Sequence, residues 1–186
     1  MALLVNRANP ITKASSSEMA SAAHSLGVEL HILHASSERE FDAVFTNLIQ
    51  LRAGDLVINA DTFLDGRSRQ LAVLTLRHAL PAIGGYHEFA AAGGLASYGG
   101  GLLDACRLAG VSTGRIQGRK ARRPAPVQQG TKIELVINLK TAKALGLTVP
   151  LSLTGRADEV VVSGRAWQQK RKPSPSPFYS SLAKTQ

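Results

Sequence analysis

Short apolar runs alternate with longer stretches of helical periodicity over the first hundred residues, and this alternation predicts βα units building a parallel sheet covered by helices. Ala2 to Val5 reads as the first strand. After an Asn/Pro loop, Ser15-Ser16-Ser17-Glu18 has the form of a capping box, and Met19, Ala22, Ala23 and Leu26 recur at helical spacing until Gly27 stops the helix. Val28 to His34 is the second strand. Ser37 and Glu40 form another capping box, followed by Phe41, Val44, Phe45, Leu48 and Leu51 on one apolar face. Asp55 to Ala60 is the third strand, a helix over about 66–79 buries Leu71 and Leu74, and Pro81-Ala82-Ile83 is the next short strand.

The regularity lapses after Gly99. Leu102, Cys106, Ala109, Thr113 and Ile116 still mark one side of a helix over 102–116, and the basic stretch Arg119 to Pro126 then breaks the chain. Ile133 to Asn138 is rich in β-branched residues, as a strand requires, and Lys140 to Leu145 makes a short helix stopped by Gly146. Pro173, Pro175 and Pro177 alternate with serines, a spacing that permits neither a helix nor a central strand. Residues 162–186 are therefore expected to be a disordered basic tail, following a domain over 1–161.

The richest segment for chemistry is 81–99. It carries Tyr86, His87, Glu88 and Phe89 on a glycine-rich connection after a short strand, where open α/β sheets bind ligands. Asp61 directly follows the third strand. It either pairs with a ligand ammonium or caps a turn. Phe63 and Tyr86 either stack on a planar ligand or pack as ordinary aromatics. Glu88 has the chemistry to orient a polar ligand or water, whereas a solvated loop suits His87. Ser97 and Tyr98 sit beside glycines whose exposed amides suit a carboxylate. Asn6 and Asn9 follow the first strand and offer amide hydrogen bonds, although Asn before Pro10 is also a turn signal.

The chain has 186 residues, 44% of them apolar, enough for one α/β domain. One cysteine, Cys106, excludes an internal disulfide and a cysteine-based metal cluster. No apolar run approaches the roughly 20 residues of a spanning helix, and the first residues show no export signal, so no membrane insertion is expected. The net charge is +9, but it is concentrated. Arg115, Arg119, Lys120, Arg122 and Arg123 form one cluster, and Arg165, Lys170, Arg171, Lys172 and Lys184 another; removing these ten from 22 bases leaves twelve against 13 acids. With few aromatics beside these bases, a specific nucleic-acid partner is not expected. No GxSxG, P-loop, HExxH or strand-to-helix GxGxxG is present, and His31 and His34 fall on opposite faces of a strand, so catalysis, a metal and a cofactor are not expected.

Several segments together resemble a known family. Leu4-Val5-Asn6, Asn9-Pro10, Ala91-Ala92-Gly93-Gly94-Leu95, Ser97-Tyr98-Gly99, the block from Lys132 to Pro150 and Ala157-Asp158-Glu159-Val160 are similar to ABC transporter substrate-binding proteins, whose better-known members bind aromatic amino acids. The resemblance implies a Rossmann-like parallel sheet flanked by helices, corresponding to the second of two lobes. It also implies capture of a small organic ligand at Asn6, Asn9, Asp61, Phe63, Tyr86, Glu88, Ser97 and Tyr98, with no cofactor. An ABC permease is the implied partner and the periplasm the implied location, against a cytoplasmic one for the sequence as it begins. Because the likeness is to a second lobe, segment 102–126 is expected to be a crossover helix and basic loop normally packed on the first. Without that lobe, the helix is expected to dock poorly, at a cost on the order of 1.5 to 3 kcal/mol for each large apolar side chain left in water. The basic segment between matching flanks, 117–126, departs from the family pattern in the manner of a compensated reading-frame shift. The alternative to solute capture is a gene remnant without transport activity.

Overall fold

The computed structural model describes residues 1–100, 102–118, 133–163 and 165–168. Eight strands form one sheet in the order β2-β1-β3-β4-β5-β6-β7-β8. They are β1 (Ala2–Val5), β2 (His31–His34), β3 (Leu56–Ile58), β4 (Ala82–Gly84), β5 (Ala96–Gly100), β6 (Ile133–Asn138), β7 (Glu159–Ser163) and β8 (Arg165–Gln168). The first five run parallel, β6 is antiparallel to β5, β7 parallel to β6, and β8 antiparallel to β7. The fold is α/β and Rossmann-like.

The helices are α1 (Thr12–Ser25), α2 (Phe41–Gln50), α3 (Thr62–Asp65), α4 (Ser68–Arg77), α5 (His87–Ala91), α6 (Leu102–Gly118), α7 (Leu139–Ala144) and α8 (Leu151–Thr154). Parallel crossovers are right-handed, and β2 lies on one side of β1 while β3, β4 and β5 follow on the other. The step from β1 to β2 thus places α1 on one face. The steps toward β5 place α2, α4 and α5 on the opposite face. The main core matches: Leu4, Leu56, Ile58 and Ala82 on the strands meet Phe41, Phe45, Leu48, Leu64, Leu71 and Phe89.

Several local expectations need correction. Helix α1 begins at Thr12, three residues before the proposed Ser15 capping box, because Thr12 is held by its hydroxyl to the Asn6 carbonyl at 2.5 Å. Ser15 lies inside the helix and donates to the Thr12 carbonyl. Gly27 does end the helix, in the left-handed region at φ +66°. Leu26 is 77% exposed, so the apolar spacing overran the helix. Glu40 does reach back, accepting from the Ser36 N–H and the Ser37 hydroxyl at 2.9 Å each, and a 3-10 turn over 38–40 leads into α2. The helix expected over 66–79 forms as α4 over 68–77, and a further short helix, α3 over 62–65, precedes it. At the other end, β7 and β8 occupy 159–163 and 165–168, so ordered pairing extends into the expected tail; its remainder, and the basic loop over 119–126, lie outside the described residues.

These burials generate a stability contrast. Phe45 is 1% exposed and stacks on His78 with ring centroids 5.4 Å apart. Phe45→Ala is expected to lower the unfolding free energy by about 3–5 kcal/mol in a urea titration. Leu26→Ala is expected to change it by no more than about 0.5 kcal/mol.

Candidate functional site

The carboxyl ends of β1, β3 and β4 converge on Asp61, which is buried at 6% exposure immediately beyond β3. Its backbone is extended, and its side chain caps α3 by accepting from the N–H groups of Phe63 at 2.9 Å and Leu64 at 3.2 Å. The same carboxylate accepts from Asn6 Nδ2 at 3.1 Å and Asn9 Nδ2 at 2.6 Å. The two asparagine oxygens accept from Ala8 and Ile11 N–H, closing the loop between β1 and α1. Of the two readings of these residues, the turn-capping role is the one these bonds display.

Burial works to raise the Asp61 pKa, and the bonds from Asn9, Asn6, Leu64 and Phe63 outweigh it, holding the carboxyl below its ordinary value. Such a group stabilises the fold above its unfolded pKa, and that stabilisation is lost as pH falls through the lower folded value.

Asp65, at the end of α3, was missed by sequence reasoning. Burial pushes its carboxyl up to about 7, with the charges of Asp61 and Glu88 acting in the same direction against a backbone hydrogen bond at Asp61. Its position four residues after a capping Asp was the available signal, since both ends of a single turn come together. Asp61, Asp65 and Glu88 thus form an acidic patch. A cationic group placed there gains from the Asp61 and Glu88 carboxylates and favours the ionised form of Asp65.

The neighbouring glycines allow the strand ends to close up. A Cβ on Gly85 would lie 2.7 Å from the Ala60 Cβ, and one on Gly99 would lie 1.9 Å from the Gly85 carbonyl oxygen. The loop after β4 is therefore wedged between the ends of β3 and β5. It presents Tyr86, half-buried at the start of α5, and the exposed Glu88 one step later.

Other expected site residues are distributed differently. Phe63 packs at 5.8 Å from Phe41, and the Arg67 guanidinium lies 5.8 Å from its ring, while Arg67 also pairs with Glu38. Ser97 and Tyr98 alternate across the sheet. Ser97 is 1% exposed with an unpartnered hydroxyl, and Tyr98 is 57% exposed on the opposite face. His87 is not a free loop residue, for its Nε2 lies 3.1 Å from Glu159. That pair borders a cavity of about 360 Å³ with Ala91, Lys140 and Thr141. A second cavity, about 550 Å³, lies between α2 and α4 beside Arg69 and Arg77. Neither includes Asn6, Asp61 or Tyr86.

Neither a protein-family model nor a curated protein sequence matches the chain. Solved structures do match its fold. A conserved domain protein from Vibrio cholerae O1 biovar El Tor is 18% identical with a TM-score of 0.75, over 86% of this chain and 53% of that one. An ABC domain from Streptococcus pneumoniae in complex with L-Trp is 23% identical with a TM-score of 0.70, over 86% and 54%. The ligand-free, open structure of a substrate binding protein with adhesive properties from Clostridium difficile is 16% identical with a TM-score of 0.58, over 81% and 50%. The chain spans about half the length of each. At these identities the likeness is one of fold, shared with binding proteins.

Two variants test the edge. Asp61→Ala removes a helix cap and leaves two asparagine donors unmatched, and is expected to cost about 2–4 kcal/mol in a denaturant titration. Asp65→Asn tests the raised carboxyl. Ionising Asp65 opposes folding, a penalty absent below its ordinary 3.8 and complete above about 7. The variant is expected to be more stable than the parent at pH 8 and to lose that advantage by pH 4.

Proposed function

We propose that this chain is a lobe of a solute-binding protein that captures a small organic ligand bearing an ammonium group, such as an amino acid. The observation carrying this reading is the acidic patch at the carboxyl ends of parallel strands, in a fold shared with an ABC domain that holds L-Trp. The four donors on Asp61 leave it as the anchor of the edge. Glu88 presents the charge to the ligand, a bound ammonium draws Asp65 toward its ionised form, Tyr86 supplies a ring for stacking, and Asn6 and Asn9 fix the floor through Asp61.

No covalent chemistry is assigned to these groups. Binding uses preorganised polar groups at a rigid edge, and closure against a facing surface excludes water and strengthens each contact. Delivery to a membrane permease, and residence outside the cytoplasm, belong to the same proposal. Among the described residues no helix is long and apolar enough to cross a membrane.

A single lobe supplies about half the contacts of a closed site. The expected affinity is therefore millimolar where two surfaces would reach micromolar, a difference of about 4 kcal/mol. Calorimetry with amino acids, their decarboxylated amines and their deaminated acids tests the reading. Saturable millimolar binding of amino acids and amines, lost in Glu88→Gln and absent for the deaminated acids, is expected. Silence across the panel favours a remnant that no longer binds, and preference for the deaminated acids contradicts the ammonium assignment.

A further inference from the structure

Helix α5 has five residues, too few to stand without outside support. Its second half is well held. The Phe89 side chain fills the space beside two glycines, where a Cβ would lie 2.8 Å from it at Gly84 and 2.2 Å at Gly94. Asn138 Nδ2 donates to the Ala90 carbonyl at 3.1 Å, and the Thr141 hydroxyl donates to the Gly93 carbonyl at 2.8 Å. The first turn has less. Tyr86 precedes the helix without a side-chain capping bond, so the turn is closed by the Phe89 N–H on the Tyr86 carbonyl at 3.1 Å. It is tied outward by His87 Nε2, 3.1 Å from Glu159 Oε2.

That tie stands where packing is thin. Ala91, Ala92 and Gly93 on one side and Ala144 at the end of α7 on the other are small, and they leave the cavity of about 360 Å³ whose wall includes His87 and Glu159. Apolar contact therefore supports this side of α5 weakly. Glu159 makes a firm base, since it is 9% exposed and its strand is held in register with Val136 on β6. Its other oxygen, Oε1, is buried with no partner, so His87 supplies the one hydrogen bond its carboxylate has among the described residues. A buried carboxylate favours any donor that reaches it. Because a carboxylate only accepts, Nε2 carries the proton, and both the neutral ring and the imidazolium keep the bond.

We propose that the His87–Glu159 pair is a strut that positions the first turn of α5, and with it Tyr86 and Glu88, at the Asp61 edge. Successive residues on a helix turn by about 100°. With His87 directed to β7, Glu88 points elsewhere, and its charge acts on Asp65 at the end of α3. Gly85, wedged against Ala60, fixes the chain just before Tyr86, and the strut fixes it just after. His87 is thus a positioning residue, for its Nε2 is engaged by Glu159 while the residues on either side of it serve the edge. The effect on ligand binding rests on the function proposed above, whereas the strut does not.

Amide hydrogen exchange on the ligand-free chain tests the strut. His87→Ala and Glu159→Ala are each expected to speed exchange of the Phe89 N–H at least about tenfold relative to that of the Leu56 N–H, which is bonded to the Pro81 carbonyl on an inner strand and reports global opening. His87→Gln, which places an amide N–H where Nε2 sits, is expected to restore protection to within about twofold of the parent. The double alanine variant is expected to match either single one. Calorimetry with the decarboxylated amine of L-Trp then reads the consequence: affinity at least about fivefold weaker in both alanine variants and near that of the parent in His87→Gln. Unchanged Phe89 exchange, additive losses in the double variant, or no recovery in His87→Gln overturns the strut. Changed exchange with unchanged amine affinity overturns its positioning of the site. Silence of the parent toward the amine removes the ligand reading alone, and the exchange result still decides the strut.

Discussion

The edge of this sheet depends on one carboxylate. Asp61 receives two side-chain amides from the loop after β1 and two backbone amides from α3, so one buried charge fixes the relative placement of two strand ends. A buried ionised carboxylate is costly unless its acceptor sites are filled. Four donors fill them here, and the shortest, from Asn9, is 2.6 Å. From that anchor follow the start of α3, the burial of Leu64 and the position of Asp65, whose own carboxyl cannot be satisfied in the same way and is pushed toward neutrality. The electrostatic character of the edge is thus a by-product of how its turn is built.

The second constraint is topological. Right-handed crossovers among the parallel strands β1 to β5 assign α2, α4 and α5 to one face and α1 to the other. The largest buried cluster accordingly joins the sheet to α2, α4 and α5. The solved structures that share this fold are about twice as long as the part that matches.

Much of this was legible in the sequence where burial enforces periodicity. The α2 face of Phe41, Val44, Phe45 and Leu48 was readable because each is packed against the sheet, whereas Leu51 and Leu26 continued the spacing into solvent at the helix ends. Strand lengths were overread. Val28 to Leu30 and Asn59 to Ala60 are extended in composition but lie outside β2 and β3, although the Asn59 N–H still donates to the Leu4 carbonyl at 3.0 Å. The Ser15 box failed because a competing tertiary bond, Thr12 to the Asn6 carbonyl, starts the helix earlier. At the candidate site, Asn6, Asn9 and Asp61 were identified as polar groups at strand ends, yet their mutual bonding was hidden, since it spans more than fifty residues of chain. Asp65 was missed because its spacing from Asp61 gives proximity alone, whereas its perturbation arises chiefly from burial that only the folded turn creates. Ser97 and Tyr98 could be placed on a strand, and alternation alone then sends them to opposite faces.

The central claim is that the Asp61 edge, and neither of the two side cavities, is where a small ammonium-bearing solute meets this chain. Backbone amide NMR during titration with L-Trp and with its decarboxylated amine tests it most directly. The account predicts saturable shifts centred on residues 59–65 and 85–88. Shifts confined to residues around Lys140 and Glu159 or around Arg69 and Arg77, or no saturable shift at all, would contradict it.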